Sequence, residues 1–418
     1  MTYNAISADA HIEAPPSAWT DRLPSGIREK APTVVALEGG GDGVKIGDAE
    51  PAPLGLQVTG GQRYDEFRTT GRSFADGLPG TGGPEQRVAE QKEDGTDAEV
   101  LFSAVVASAL RKIKEDDVLR EIATAYNAWL SEYCSVAPDR LLGVALIPPT
   151  NAKDAVAEAE RVAQLPGIRG VQLLTFPNGG AWATYGDEPF WQTVADLDIP
   201  VIAHHNFGGD DRGKSHPLPG QKGEAKALEI EGAVDLATFA WLLTCDIPMP
   251  TIPILTIEQL FLGGVLDRHP TLRFHFAETG IGWLPYWLEQ MDDRYDRHRH
   301  WAGVGPLPRR PSEYVRDHFT FSFQEDHAGV ALRHSIGIDN ICWASDFPHS
   351  VSDWPFSRET RERQFKGVPD QDRRKMEALN IAAQLGLITK EEKEAQALLP
   401  ISSDAPADVA DRGARRAS

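Results

Sequence analysis

Eight short apolar segments alternate with helix-forming stretches along this chain, and no other feature restricts its possible folds as strongly. The segments lie at residues 5–8, 98–102, 141–146, 170–174, 200–204, 273–277, 319–323 and 341–344. Helical patterns are expected at 85–94, 115–136, 152–164, 188–197, 281–295, 325–336 and 370–385. In the second of these, Leu119, Ile122, Ala123, Tyr126 and Leu130 recur at helical spacing and mark one face. Strands that alternate with helices pair in parallel, each joined to the next by a helical crossover. Eight such units in 418 residues predict an α/β chain closed into a (β/α)8 TIM barrel. An open doubly wound sheet would carry a glycine-rich phosphate turn after its first strand. Here Asp9-Ala10-His11 stands in that place.

The barrel reading assigns residues 1–392 to one domain. Residues 14–83 are rich in Gly and Pro, as in Gly39-Gly40-Gly41 and Gly80-Thr81-Gly82-Gly83, and are too long for a plain connection. They are read as a long insertion after the first strand, made of loops and a short hairpin that cover the mouth of the site. From 393 to 418 the chain is rich in Ala, Asp, Ser and Arg and is read as a disordered tail. The apolar stretch 234–266, broken by Asp246, Pro248, Pro250, Pro253 and Glu258, is expected to form two helices on a buried or subunit-facing surface.

Charge narrows the function. The 62 acidic residues outnumber 42 basic ones, for a formal net charge of −20. Such a chain is expected to bind neither nucleic acid nor an anionic membrane. Cys134, Cys245 and Cys342 lie far apart, so a disulfide framework is not expected and a reducing compartment is. Met1-Thr2-Tyr3-Asn4 is not expected to open a signal peptide, and with no run of about 20 apolar residues a membrane span is not expected either. A cytoplasmic location is the expectation.

In a (β/α)8 barrel the reacting groups project from the C-terminal ends of the strands. Metal-capable residues recur there. The first strand ends at Asp9, His11 and Glu13, the fifth at His204 and His205, the sixth at Glu278, and the eighth at Asp346 and His349. Residues two apart on a strand share a face, so Asp9 and His11 can offer an oxygen and a nitrogen side by side. Only one of His204 and His205 can face the axis. His204 is preferred as ligand, with His205 behind it or touching substrate. Glu13 either caps the segment that follows or binds a second metal, and His349 either bonds its own loop or reaches the metal. His275, inside its strand, His269, in a turn at the barrel bottom, and His298 and His300, past a helix end, are read as structural or solvated.

These residues carry a resemblance. Asp9-x-His11, Pro200-Val-Ile-Ala-His204, the stretch from Leu266 through Glu278-Thr-Gly-Ile-Gly-Trp-Leu-Pro, and Trp343-Ala-Ser-Asp346-Phe-Pro-His349 resemble the amidohydrolase-related family. That family includes enzymes of the aminocarboxymuconate-semialdehyde decarboxylase and resorcylate decarboxylase types. The resemblance runs from Ser7 to about Leu387, outside the insertion and tail. It implies a distorted barrel, a divalent metal (zinc, manganese or iron, one or two ions per chain), and a homodimer or a hetero-oligomer with a related subunit. Asp9, His11, His204 and Asp346 match the family's ligand positions. Two departures stand out: the first-strand pair is Asp-x-His, and Glu278 stands where the decarboxylases carry a histidine.

Glu278 makes metal-assisted hydrolysis of a small amide, lactone or ester the leading expectation. Asp346 would then ligate and accept a proton, Glu278 would serve as base or bridging ligand, and His205 would assist. The alternatives are non-oxidative decarboxylation of a small aromatic or unsaturated acid and a dinuclear Fe or Fe/Mn centre that activates oxygen. Decarboxylation would need a cation for the substrate carboxylate, with Arg63, Arg68 and Lys214 as candidates.

Overall fold

The computed structural model describes residues 2–205, 207, 251–302, 304 and 306–401. Its strands are β1 (Ile6–His11), β2 (Thr33–Ala36), β3 (Asp42–Lys45), β4 (Ala52–Pro53), β5 (Ala98–Phe102), β6 (Leu141–Leu146), β7 (Ile168–Leu173), β8 (Val201–His204), β9 (Phe274–Ala277), β10 (Phe319–Phe323) and β11 (Ile341–Trp343). Eight of them pair in parallel in the order β1-β5-β6-β7-β8-β9-β10-β11, the succession expected when each strand follows its predecessor around a barrel.

The seam between β11 and β1 is closed by residues just past β11. The Asp346 N–H donates to the Asp9 carbonyl at 2.9 Å, and the His11 N–H donates to the Phe347 carbonyl at 2.7 Å. Ser7 Oγ accepts the Ser345 N–H at 2.8 Å. The register of β1 on β5 shifts between Ser7 and Ala10, an irregularity in the strand that carries the first candidate ligands. A distorted TIM barrel is therefore the fold.

The inner face packs Ile6, Ala8, Val100, Val144, Ile202 and Cys342 into one cluster with Leu379 and Ala382, so the C-terminal helical segment stoppers the barrel floor. The outer face packs against the crossovers. In the helix Asp116–Ser135 the five residues singled out by spacing are all buried, as the period required. Pro84 opens the helix Pro84–Asp94, where its missing N–H leaves no bond unmade.

Several boundaries differ from the sequence reading. Helices at Ala104–Lys112 and Pro311–His318 were not anticipated. The helix expected at 325–336 divides into His327–Ala331 and Arg333–Ile336. That at 370–385 contains a π-helical turn, Lys375–Leu379. A helix at Lys390–Ala397, with Lys393 and Ala397 buried, carries regular structure past residue 392, and residues 402–418 lie outside the described residues. So do residues 208–250, which hold Lys214, Cys245 and much of the apolar stretch; that stretch continues in the helix Thr251–Leu262. Among the described residues no helix is long and apolar enough to cross a membrane.

The insertion is more regular than a hairpin: β2, β3 and β4 form an antiparallel sheet. It docks on the strand-end loop through the Thr59 N–H to the Pro348 carbonyl and Thr59 Oγ1 to the His349 carbonyl, both at 3.0 Å. Gly80 belongs to this contact. Its φ is +80°, its carbonyl accepts the Glu13 N–H at 3.1 Å, and a Cβ there would fall on the Pro348 ring. Gly80→Ala is therefore expected to destabilise the protein by about 1–3 kcal/mol. Urea unfolding measures this, and an unchanged midpoint would show that the loop does not need glycine.

Candidate metal centre

All the candidate ligands stand at the C-terminal ends of barrel strands, where parallel pairing brings neighbouring chain ends together. His11 Nε2 lies 3.4 Å from Asp9 Oδ1 and 3.1 Å from Asp346 Oδ1. His204 Nε2 lies 3.5 Å from Asp9 Oδ2 and 3.4 Å from Glu278 Oε2. Asp9, His11, Glu278, Asp346 and His204 are all buried. His205 is half-buried, and its Nδ1 sits 2.8 Å from Glu278 Oε2. His349 links Asp346 Oδ1, 3.4 Å from Nδ1, to Glu13 Oε1, 3.1 Å from Nε2, and its ring stacks on that of His11. The sequence left open whether Glu13 caps and whether His349 bonds its loop; both side chains instead turn toward the cluster.

Two of the carboxylates reach the cluster from unusual backbone. Glu278 has φ +55° and Asp346 has φ +51°. Left-handed backbone costs a residue with a Cβ about 1–2 kcal/mol, and such strain gathers at functional sites. Here it folds each carboxylate back over the end of its strand. Hydrogen bonds hold the turn: the Glu278 N–H donates to Ser322 Oγ at 3.0 Å, and the Asp346 N–H to Asp9 as above.

Buried polar atoms are ordinarily hydrogen-bonded. Here Asp9 Oδ1 and Oδ2, His11 Nε2, His204 Nε2 and Asp346 Oδ1 are buried with no hydrogen-bond partner among the described residues. Their donor atoms fall within 4.8 Å of one another in the groups Asp9-His11-His204 and Asp9-Glu278-Asp346. Orphaned oxygens and imidazole nitrogens converging in this way fit a divalent cation of the zinc, manganese or iron type. Two adjoining groups, His11-Glu13-His349 and His204-His205-Glu278, extend the cluster on either side.

The charges within the cluster restrain one another. Burial raises the Asp9 carboxyl above its ordinary value, although His204 beside it pulls the other way. Burial also works against ionised Asp346, but His349 and His11 overcome it and hold that carboxyl well below the usual range. Glu278 is lowered too: burial and Asp346 oppose its charge, and His205 and His204 outweigh them. His204 and His349 resist desolvation and are raised by their carboxylate neighbours, His349 strongly.

His275, read as structural, lies in none of these groups. Paired in register with Ile202 and Thr320, it sits on the inner face of the barrel, and its Nδ1 is 2.9 Å from Thr320 Oγ1. Burial pulls its pKa down to about 3. A histidine neutral when folded and ordinary when unfolded binds its proton only in the unfolded chain between those two values. Its stabilising effect is present above about pH 6.5 and is lost as pH falls toward 3, at about 1.4 kcal/mol per unit. Between pH 6.5 and 5 the native protein should lose about 2 kcal/mol that a His275→Gln variant does not. Urea unfolding at the two pH values checks this, and identical pH dependence in both proteins would refute it.

His269 bonds Glu188 at 2.8 Å, while His298 and His300 are exposed, in keeping with the roles assigned from sequence. Of the proposed carboxylate-binding cations, Lys214 lies outside the described residues, and Arg63 and Arg68 are engaged away from the cluster. Arg63 is exposed and paired with Asp65 at 2.9 Å, and exposed Arg68 donates to the carbonyls of Asp65 and Phe67. Short-range partners in their own loop hold both.

Sequence reasoning passed over the support beneath the centre. Arg87 is 1% exposed; its Nε donates to Glu99 Oε2 at 2.6 Å and its Nη1 to the His11 carbonyl at 2.8 Å. Its guanidinium also lies over the Phe347 ring. Gln91 donates to the same Glu99 oxygen at 2.8 Å. A glutamate inside the apolar strand Ala98–Phe102, twelve residues after an arginine in a helix without an apolar face, was the available signal.

A buried carboxylate–imidazole cluster on the C-terminal rim of a (β/α)8 barrel defines a metal-dependent barrel enzyme class. The chain belongs to the amidohydrolase family, whose model matches residues 8–387. It is 26% identical over 277 residues, 62% of this chain and 77% of the other, to a gamma-resorcylate decarboxylase from Rhizobium sp. (strain MTP-10005). Its fold is similar to that of an amidohydrolase from Mycobacterium avium subsp. paratuberculosis, with TM-score 0.64 and 18% identity over 92% of this chain and 100% of that one. It is also similar to a dihydroxybenzoic acid decarboxylase from Polaromonas sp. JS666 with bound manganese, at TM-score 0.57 and 17% identity over 92% and 97% of the two chains.

Proposed function

We propose that this chain is a metal-dependent, non-oxidative decarboxylase of a small aromatic or unsaturated acid. The observation that carries the reading is the set of orphaned donor atoms on Asp9, His11, His204 and Asp346, in a family member whose curated relatives include decarboxylases. Hydrolysis, which led on sequence grounds, rested on Glu278 standing where the decarboxylases carry a histidine. The curated relatives this chain resembles are decarboxylases, which favours decarboxylation, the alternative reading of the sequence.

Asp9, His11, His204 and Asp346 would hold the cation, which when bound supplies positive charge for the substrate's carboxylate and a neighbouring oxygen. In the reaction the bond from carbon to the carboxyl group breaks, its electron pair stays on the carbon, and a proton takes the vacated place. His349 holds a proton between Asp346 and Glu13, so Asp346 stays ionised and can exchange that proton with the substrate. Glu278 orients His205, whose half-buried ring is placed to touch the substrate.

The test is carbon dioxide release from a panel of hydroxybenzoic and unsaturated acids, under nitrogen, by protein reconstituted with manganese, zinc or iron. Chelator-stripped protein should release none, and readdition of metal should restore release. Cleavage of an ester, lactone or amide without carbon dioxide would overturn the reading. A two-ion centre is a second reading, favoured by the group His11-Glu13-His349 beside the first. Two metals per chain by elemental analysis, with turnover that requires oxygen, would select it.

A further inference from the structure

The end of the barrel opposite the metal centre holds a cavity of about 590 Å³. Asn4, Thr96, Asp97 and Arg140, which precede β1, β5 and β6, form part of its wall, so it opens at the N-terminal ends of the strands. Six cationic side chains line it: Lys92, Arg140, Arg358, Arg361, Arg373 and Arg374. Among the described residues only Asp97, Glu362 and Glu377 oppose them there. A chain with a formal net charge of −20 thus gathers a positive excess in one cavity.

The carboxylates are already engaged. Glu362 binds Arg373 through both oxygens, and Glu377 lies 3.1 Å from Arg373 Nε and 3.6 Å from Arg361 Nη1. Asp97 accepts the Asn4 and Ala5 N–H groups. Arg140 donates to the Gln91 side chain and the Thr96 carbonyl, not to an acid.

Arg374 is the decisive residue. It is 5% exposed, its Nη2 donates to the Pro400 carbonyl at 2.7 Å, and its Nε and Nη1 are buried with no hydrogen-bond partner among the described residues. Arg361, equally buried, also leaves its Nε unpartnered. A buried guanidinium such as that of Arg374, with unmade bonds and no ion pair among the described residues, is costly to keep, and the oxygens of an anion would complete it in the forked geometry that arginine favours. The helix Asp370–Arg374 passes here into the π-helical turn Lys375–Leu379, a backbone form frequent at functional sites.

We propose that this cavity is a second ligand site, separate from the metal centre, that binds a small multiply charged anion of the phosphate class. Its volume falls in the range of small-molecule sites, so a phosphorylated metabolite fits the space better than a lone ion.

The experiment is isothermal titration of inorganic phosphate into metal-loaded full-length protein, against sodium chloride at equal ionic strength, with thermal unfolding as a second readout. Saturable binding and a raised Tm are expected. Exposed Lys92, changed as Lys92→Glu, should weaken phosphate about threefold without disturbing the fold. Arg374→Gln should weaken it about tenfold or more. Metal content should be the same in all three proteins. No saturable binding beyond the chloride control would overturn the proposal. So would unchanged affinity in the Lys92→Glu variant, which would place the anion elsewhere, including at the metal. Neither readout uses turnover, so failure of the decarboxylase reading leaves this test intact.

Discussion

Asp346→Asn is expected to reduce turnover by about 10³-fold and to lower the metal content of the purified protein. The carboxylate touches both the ligand cluster and the proton-holding pair: its Oδ1 lies 3.1 Å from His11 Nε2 and 3.4 Å from His349 Nδ1. An amide of the same shape removes the charge and the basicity together. Loss of a positioned proton-transfer group alone costs about 10²–10⁴ in rate, and weakened metal binding adds to it. The substitution also suits the backbone, because φ is +51° here and asparagine tolerates left-handed conformation better than most residues. The variant should therefore fold. Elemental analysis and carbon dioxide release, measured on the same samples, check the expectation. Full metal content with full turnover would remove Asp346 from the mechanism.

The second large effect is one of stability. Arg87→Met should cost about 3–5 kcal/mol, because removing one partner leaves Glu99 as an uncompensated buried charge. Arg87 and Glu99 are 1% and 3% exposed. The loss would reach past the ion pair, since the Arg87 guanidinium also holds the carbonyl of His11, a candidate ligand, from below. Weaker metal retention should accompany the lower unfolding free energy. Urea unfolding of Arg87→Met, Glu99→Gln and the double variant tests this. A double variant less damaged than the sum of the singles is expected, and a single loss below about 1 kcal/mol in Arg87→Met would show that the pair is not structural support.

Much of this protein is legible in one dimension. Alternation of apolar strands with periodic helices gives the barrel, because parallel strands need crossovers and eight crossovers close a ring. Leu119, Ile122 and Leu130 point inward because helical geometry puts them on one stripe. Asp9, His11, His204, Glu278 and Asp346 were legible as a set because strand ends in such a ring must converge. The helix Pro311–His318 was missed because its polar residues mask its short apolar face. The division of 325–336 was missed because the break at Leu332 has no proline or glycine to announce it.

What the sequence alone determined was the order of the barrel strands, the family and which side chains cluster at the strand ends, since these follow from local periodicity and from residue types at strand ends. Only the tertiary structure decided the rest. It turned Glu13 and His349 inward and bonded Glu278 to His205. It held Arg63 and Arg68 in their own loop, and placed Arg87 beneath β1. Each of these depends on contacts between residues far apart in the chain or on backbone turned to positive φ, and neither has a local signature. Propensity acts over a few residues; the direction in which a buried charge points is fixed by whichever distant partner removes the cost of burying it.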